Sequence, residues 1–145
     1  MKKLCALFCM VVVILSTIST SALAAEPEGK VIDLGNGFYV VETITQYPMA
    51  RSGNAVISGE VSNDLYQGST LIGTATLYAD FDISGSTAKS VYISVTGSGY
   101  NGGTYLRGEP TRSGSTASGT AYFKYNGVQK TLRLSLSCTA DGTLY

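Results

Sequence analysis

The segment that most constrains this fold is Tyr125-Asn126-Gly127-Val128. Asn-Gly is the favoured pair in two-residue type I′ hairpins, because both central positions need positive φ. Folding the chain there sets Tyr125 opposite Val128, and the side chains beyond test the register. Phe123 then faces Lys130, Ala121 faces Leu132, Gly119 faces Leu134 and Ala117 faces Leu136. The alternate set pairs Lys124 with Gln129, Tyr122 with Thr131, Thr120 with Arg133 and Ser118 with Ser135. One face is apolar and the other polar along nearly the whole length. A slip of one residue would mix them, so turn chemistry and side-chain pattern specify the same pairing. Small Ala and Gly opposite large Leu predicts interdigitation with a second sheet.

The same period of two recurs upstream. Between Thr70 and Ile83, one face holds Leu71, Gly73, Ala75, Leu77, Ala79, Phe81 and Ile83, and the other Thr74, Thr76, Tyr78, Asp80 and Asp82. After Ser84-Gly85-Ser86, Val91, Ile93 and Val95 alternate with Tyr92, Ser94 and Thr96. Phe38 to Thr45 and Ala55 to Val61 read as shorter strands, with Val31 to Leu34 as a lead-in. Gly97 to Gly103 reads as a loop, and Gly108-Glu109-Pro110 closes a short strand after it. Ten tyrosines and no tryptophan suit pleated sheet, and no helical periodicity follows the N-terminal segment. The expected fold is all-β: an antiparallel two-sheet sandwich, Ig-like, of roughly seven strands. A small β-barrel is the alternative.

The first 24 residues are of a different kind. Met1-Lys2-Lys3 is basic, Leu4 to Leu15 is unbroken apolar sequence, and Ser16 to Ala24 turns small and polar, ending Ala22-Leu23-Ala24. That is the layout of a secretory signal peptide, with cleavage expected after Ala24. The apolar run is shorter than the about 20 residues that span a bilayer as helix. Residues 25–145 are then a single domain, secreted and extracellular, with no integral membrane anchor after cleavage. Lys plus Arg and Asp plus Glu number 10 each, and losing Lys2 and Lys3 leaves a net charge of −2. A weakly acidic chain without basic runs is not built for nucleic acid.

Chemistry is limited by what is missing. Histidine is absent, which removes the usual general base, the usual protease dyad and the commonest zinc ligand. Cys5 and Cys9 leave with the signal, so Cys138 stands alone, either a small buried hydrophobe on the Leu132, Leu134, Leu136 face or a thiol for another molecule. Asp80 and Asp82 share a strand face about 7 Å apart, a spacing that suits an inverting glycosidase or half of a calcium site. Such pairs are also ordinary solvent-facing residues. Tyr78, Tyr92 and Tyr122 fall on polar strand faces, where a phenol can stack on a sugar ring or anchor a protein contact. Tyr100 and Asn101, in the glycine-rich loop, are candidate recognition residues. That loop does not fit a nucleotide-binding pattern, and no cofactor motif is present.

Three segments carry a resemblance: Gly73-Thr74-Ala75-Thr76-Leu77, Thr111-Arg112-Ser113-Gly114-Ser115-Thr116-Ala117, and Leu134-Ser135-Leu136-Ser137-Cys138-Thr139-Ala140-Asp141-Gly142-Thr143-Leu144. With the signal, the chain resembles a group of small secreted Ser/Thr/Gly-rich β proteins of clostridial and related Gram-positive bacteria. Members often carry a second cysteine near the positions of Lys89 and Ser90, where this chain has none. The resemblance implies export and a β fold, and brings no activity with it. The expectation is a secreted, non-enzymatic binding module for a glycan or protein, held at any surface non-covalently. A diffusible effector, such as a bacteriocin-like factor or protein inhibitor, is the alternative.

Overall fold

The computed structural model describes residues 29–47 and 55–145. The expected signal peptide and its cleavage site lie outside them. Eight strands follow in order: β1 (Lys30–Gly35), β2 (Phe38–Gln46), β3 (Val56–Gln67), β4 (Thr70–Asp82), β5 (Lys89–Gly99), β6 (Thr104–Ser113), β7 (Thr116–Tyr125) and β8 (Val128–Ser137). β1 to β5 form one antiparallel sheet and β6 to β8 a second. The two-sheet antiparallel sandwich expected from the alternation is therefore the fold. Strand neighbours follow sequence order, so each sheet is a meander, without the Greek-key exchange of an immunoglobulin domain.

The β7–β8 pairing is the one that the hairpin turn and the side-chain faces specify, from Tyr125↔Val128 to Ser118↔Ser135. Asn126 and Gly127 both have positive φ, at 47° and 79°. Ala117, Ala121, Phe123, Leu132, Leu134 and Leu136 are buried, and Gly119 gives its space to Val95 and Leu77 of the other sheet. Burial of a side chain such as Phe81, Phe123 or Leu77 stabilises by about 1.5–3 kcal/mol each, and these residues carry the core.

Elsewhere the strands depart from simple alternation. Leu65 pairs with Gly73 but Tyr66 with Leu71, so Ile72 sits on a bulge. Ile72 is fully buried and Leu71, expected on the core face, is only half-buried. A second bulge between β4 and β5 displaces Val91, which is exposed rather than inward-facing. β3 runs past Val61 to Gln67, and Asn63 in a core-facing position hides this extension from an apolar pattern. Gly97 to Gly99 belong to β5, and the turn is confined to residues 100–103. The ring of Tyr105 crosses Gly97 where a Cβ would be 2.5 Å away, so this glycine serves close packing. β6 continues through Pro110, which an edge strand tolerates because its outer amides are not needed for pairing.

Five strands over three cannot match. β8 lies over β3, and β7 over β4 and β5, while β5 and β6 close one side of the sandwich. On the other side β1 and β2 project beyond β8. Ile44, on the core-facing side of β2, is accordingly 42% exposed. Under this overhang lies a concavity of about 540 Å³.

Candidate functional site

The outer face of the five-stranded sheet gathers most of the aromatic and acidic side chains singled out above. Register places Glu60 of β3 beside Tyr78 of β4, and Asp80 of β4 between Ser58 of β3 and Tyr92 of β5. Tyr47, just past the end of β2, completes the row. Ring centroids lie 6.2 Å apart for Tyr47–Tyr78 and 6.0 Å for Tyr78–Tyr92, with interplanar angles of 37° and 64°. Tyr92 is 54% exposed and Tyr47 37%, so the row presents ring surface to solvent at both ends.

Hydrogen bonds hold this row in place. Ser58 Oγ and Tyr78 OH both donate to Asp80 Oδ1, each at 2.7 Å. The Tyr78 phenol feels opposed effects: the neighbouring Ser58 hydroxyl lowers its pKa, while the bond to Asp80, burial and the charge of Asp80 raise it. The balance is upward, as it is for Tyr47, whose hydroxyl is bonded to Glu60. Both phenols therefore stay protonated at neutral pH and act as donors to carboxylates that keep further lone pairs free.

Along the same face, Ser62 meets Thr76 at 3.3 Å and Thr74 donates to Asp64 at 2.6 Å. At the far end Tyr39 and Tyr66 stack at 5.1 Å, nearly parallel. Tyr39 and Tyr47 are eight residues apart on one strand path, about 27 Å at the rise of an extended chain. The face is thus a ladder of hydroxyls and carboxylates with tyrosines at each end. A surface of that kind offers ring faces to apolar C–H patches and acceptors to hydroxyl donors.

The other expected site residues lie elsewhere. Tyr122 is on the outer face of the three-stranded sheet, with the Arg107 guanidinium 4.3 Å from its ring centroid and its hydroxyl donating to Glu109 at 3.1 Å. It shares no surface with Tyr78 and Tyr92, because β7 belongs to the opposite sheet. Tyr100 is exposed at the β5–β6 turn. Asn101 has φ of 49° and donates through Nδ2 to the Leu71 carbonyl at 2.8 Å, so it anchors the turn.

Asp80 and Asp82 have separate partners. Asp82 accepts the Ser84 amide at 2.8 Å, and that bond, foremost, holds its carboxyl below the ordinary aspartate range. Among the described residues, no three of His, Cys, Asp and Glu converge on a metal position. Cys138 is buried, and burial pushes its thiol pKa up, away from thiolate reactivity.

Tyr47, Glu60 and Ser58 join the site without having been singled out from sequence. Tyr47 keeps the parity of Thr43 and Thr45 on the polar side of β2, which is the one signal that pointed to it. Glu60 and Ser58 needed the β2–β3 and β3–β4 registers. No protein-family model, curated protein or solved structure matches this chain.

Proposed function

We propose that this chain is exported by its N-terminal segment and acts outside the cell as a non-enzymatic protein that binds a glycan. The binding surface is the outer face of the five-stranded sheet. One observation carries the reading: the Tyr47–Tyr78–Tyr92 row, with Asp80 and Glu60 in hydrogen-bonding reach of its phenols. Sugar rings have apolar C–H faces that pack on aromatic rings, and hydroxyls that donate to carboxylates. The row runs across the outer face of a sheet and is exposed at both ends, which suits an extended polymer better than an enclosed small molecule. A histidine-free chain whose paired aspartates are each engaged by a different neighbour supports binding without turnover.

The test is co-sedimentation of the mature protein, residues 25–145, with insoluble cell walls and insoluble polysaccharides. The parent is expected to pellet with at least one of them. Replacing Tyr47 and Tyr92 together by Ala is expected to weaken binding by at least about tenfold, or about 1.4 kcal/mol. Tyr122→Ala is expected to bind like the parent, since Tyr122 lies on the other sheet. Parent protein that stays in solution with every polymer overturns the glycan reading and favours a diffusible effector. Equal pelleting of the double variant would remove the tyrosine row from the site.

A further inference from the structure

The concavity under the β1–β2 overhang has the composition of a ligand site distinct from the tyrosine face. Its volume is about 540 Å³, within the range of small-molecule sites. Ile32 and Leu34 of β1, Val40 of β2 and Leu132 of β8 make most of its wall apolar, and Thr131 and Arg133 of β8, both solvent-exposed residues, also line it. Asn63 of β3 also lines it, and Asn63 is the one buried polar side chain of the described core, at 1% exposure.

Asn63 is held in a defined orientation. Its Nδ2 donates to the Arg133 carbonyl of β8 at 3.2 Å, reaching from one sheet to the other. A carbonyl can only accept, so this bond fixes which end of the amide is nitrogen. The Oδ1 atom is buried and has no hydrogen-bond partner among the described residues. A buried acceptor left unpaired is costly, and such atoms in folded proteins call for a partner.

The missing partner must be a donor. A fully deprotonated anion could meet Arg133 but has no proton to give Oδ1, and an ammonium would be buried among Ile32, Leu34, Val40 and Leu132 with no carboxylate on the lining. What fits is neutral: an apolar body carrying one hydroxyl. We infer that the concavity between β1 and β8 binds a small apolar alcohol, with the ligand hydroxyl donating to Asn63 Oδ1. This inference is independent of the glycan reading, since no wall residue belongs to the tyrosine row.

Fluorescence titration of the mature protein with 2-naphthol and with its methyl ether, 2-methoxynaphthalene, tests it. The two probes share an apolar body and differ in the donor. The expected result is saturable one-to-one binding of 2-naphthol, about tenfold tighter than the ether, because the ether leaves Oδ1 unpaired. In Asn63→Leu the two affinities are expected to converge. Leu34→Trp, at a half-buried wall position that tolerates a larger ring, is expected to abolish binding of both while polysaccharide pelleting persists. Absence of saturable 2-naphthol binding overturns the inference. So does equal affinity of the parent for alcohol and ether, or unchanged binding in a folded Leu34→Trp protein.

Discussion

Along one side of the sandwich β5 and β6 are tied edge to edge; along the other, β1 and β8 stand apart over a concavity. On the tied side the Ser90 amide donates to the Gly114 carbonyl at 2.8 Å, and Arg112 donates from its guanidinium to the Val91 carbonyl. The turn that joins these strands is packed backbone to backbone: Gly103 lies against the Ile72 carbonyl, with no room for a side chain. On the open side the links are made by side chains: Asn63 donates to the Arg133 carbonyl, Lys130 of β8 lies over the Phe38 ring, and Gln46 of β2 bonds to Gly142 and Leu144 of the C-terminal segment. Five strands paired with three cannot close both sides. Closure was achieved where the chain passes directly from one sheet to the other, and the surplus width was left at the free edges. The lesson is that sheet size, more than any single residue, decides where a small sandwich keeps open space.

The contrast is broken most severely from the closed side. Gly103→Val is expected to cost 3 kcal/mol or more, about the upper range for overpacking, because a backbone carbonyl cannot step aside. On the open side, Ile32→Ala removes a half-buried side chain and is expected to cost about 1 kcal/mol, well short of a core truncation. Urea unfolding of the two variants measures the difference. Comparable losses would mean that the two sides are packed alike.

Acid acts more gently, and on particular carboxylates. Asp82 at the end of β4, Glu109 on β6 and Asp141 in the C-terminal segment are all held below their ordinary pKa values. The leading causes are the Ser84 amide for Asp82, Arg107 for Glu109 and the Thr139 hydroxyl for Asp141. Each folded pKa lies below the unfolded one, so the stabilisation is complete above about pH 4.5 and is lost as pH falls through the folded values. A melting temperature that is level from pH 7 to pH 5 and declines below pH 4 is expected. In Asp82→Asn the decline should be shallower. These groups are exposed, so the effect is small.

Smallest of all is the stability change expected for Asn63→Leu. The variant loses the bond to Arg133 but also removes a buried, unpaired oxygen, and the two nearly cancel, to within about 1 kcal/mol. A loss above about 2 kcal/mol would show that Oδ1 has a partner in solution, which would sharpen the contrast differently by closing the seam through Asn63.

The β7–β8 hairpin was legible because its turn needs two positive-φ residues and its faces separate cleanly, so Asn126-Gly127 and Leu132, Leu134 and Leu136 agree. The bulges at Ile72 and Val91 were not legible, since an extra residue breaks the period of two without a residue type that marks it. Gly97 looked like loop because glycine signals both turns and close packing, and only the Tyr105 ring decides between them. Tyr78 and Tyr92 could be placed on a polar face from parity alone. That they meet Tyr47 and avoid Tyr122 depends on which strands share a sheet, and local pattern does not carry that information.

Amide hydrogen exchange tests the open seam most directly. Tyr125 and Val128 flank a two-residue turn, so they form a hydrogen-bonded pair, and alternate pairs along the hairpin turn their backbone groups outward. Thr131, Arg133 and Ser135 are in that outward set, as are the Arg133 carbonyl that accepts Asn63 and the Ser137 amide that donates to the Tyr145 carbonyl. Fast exchange at Thr131, Arg133 and Ser135, beside slow exchange at Leu132, Leu134 and Ser90, is the result expected for one closed side and one open. Equal protection of Thr131 and Arg133 with Leu132 and Leu134 would mean that the β8 edge is paired, and would contradict the account.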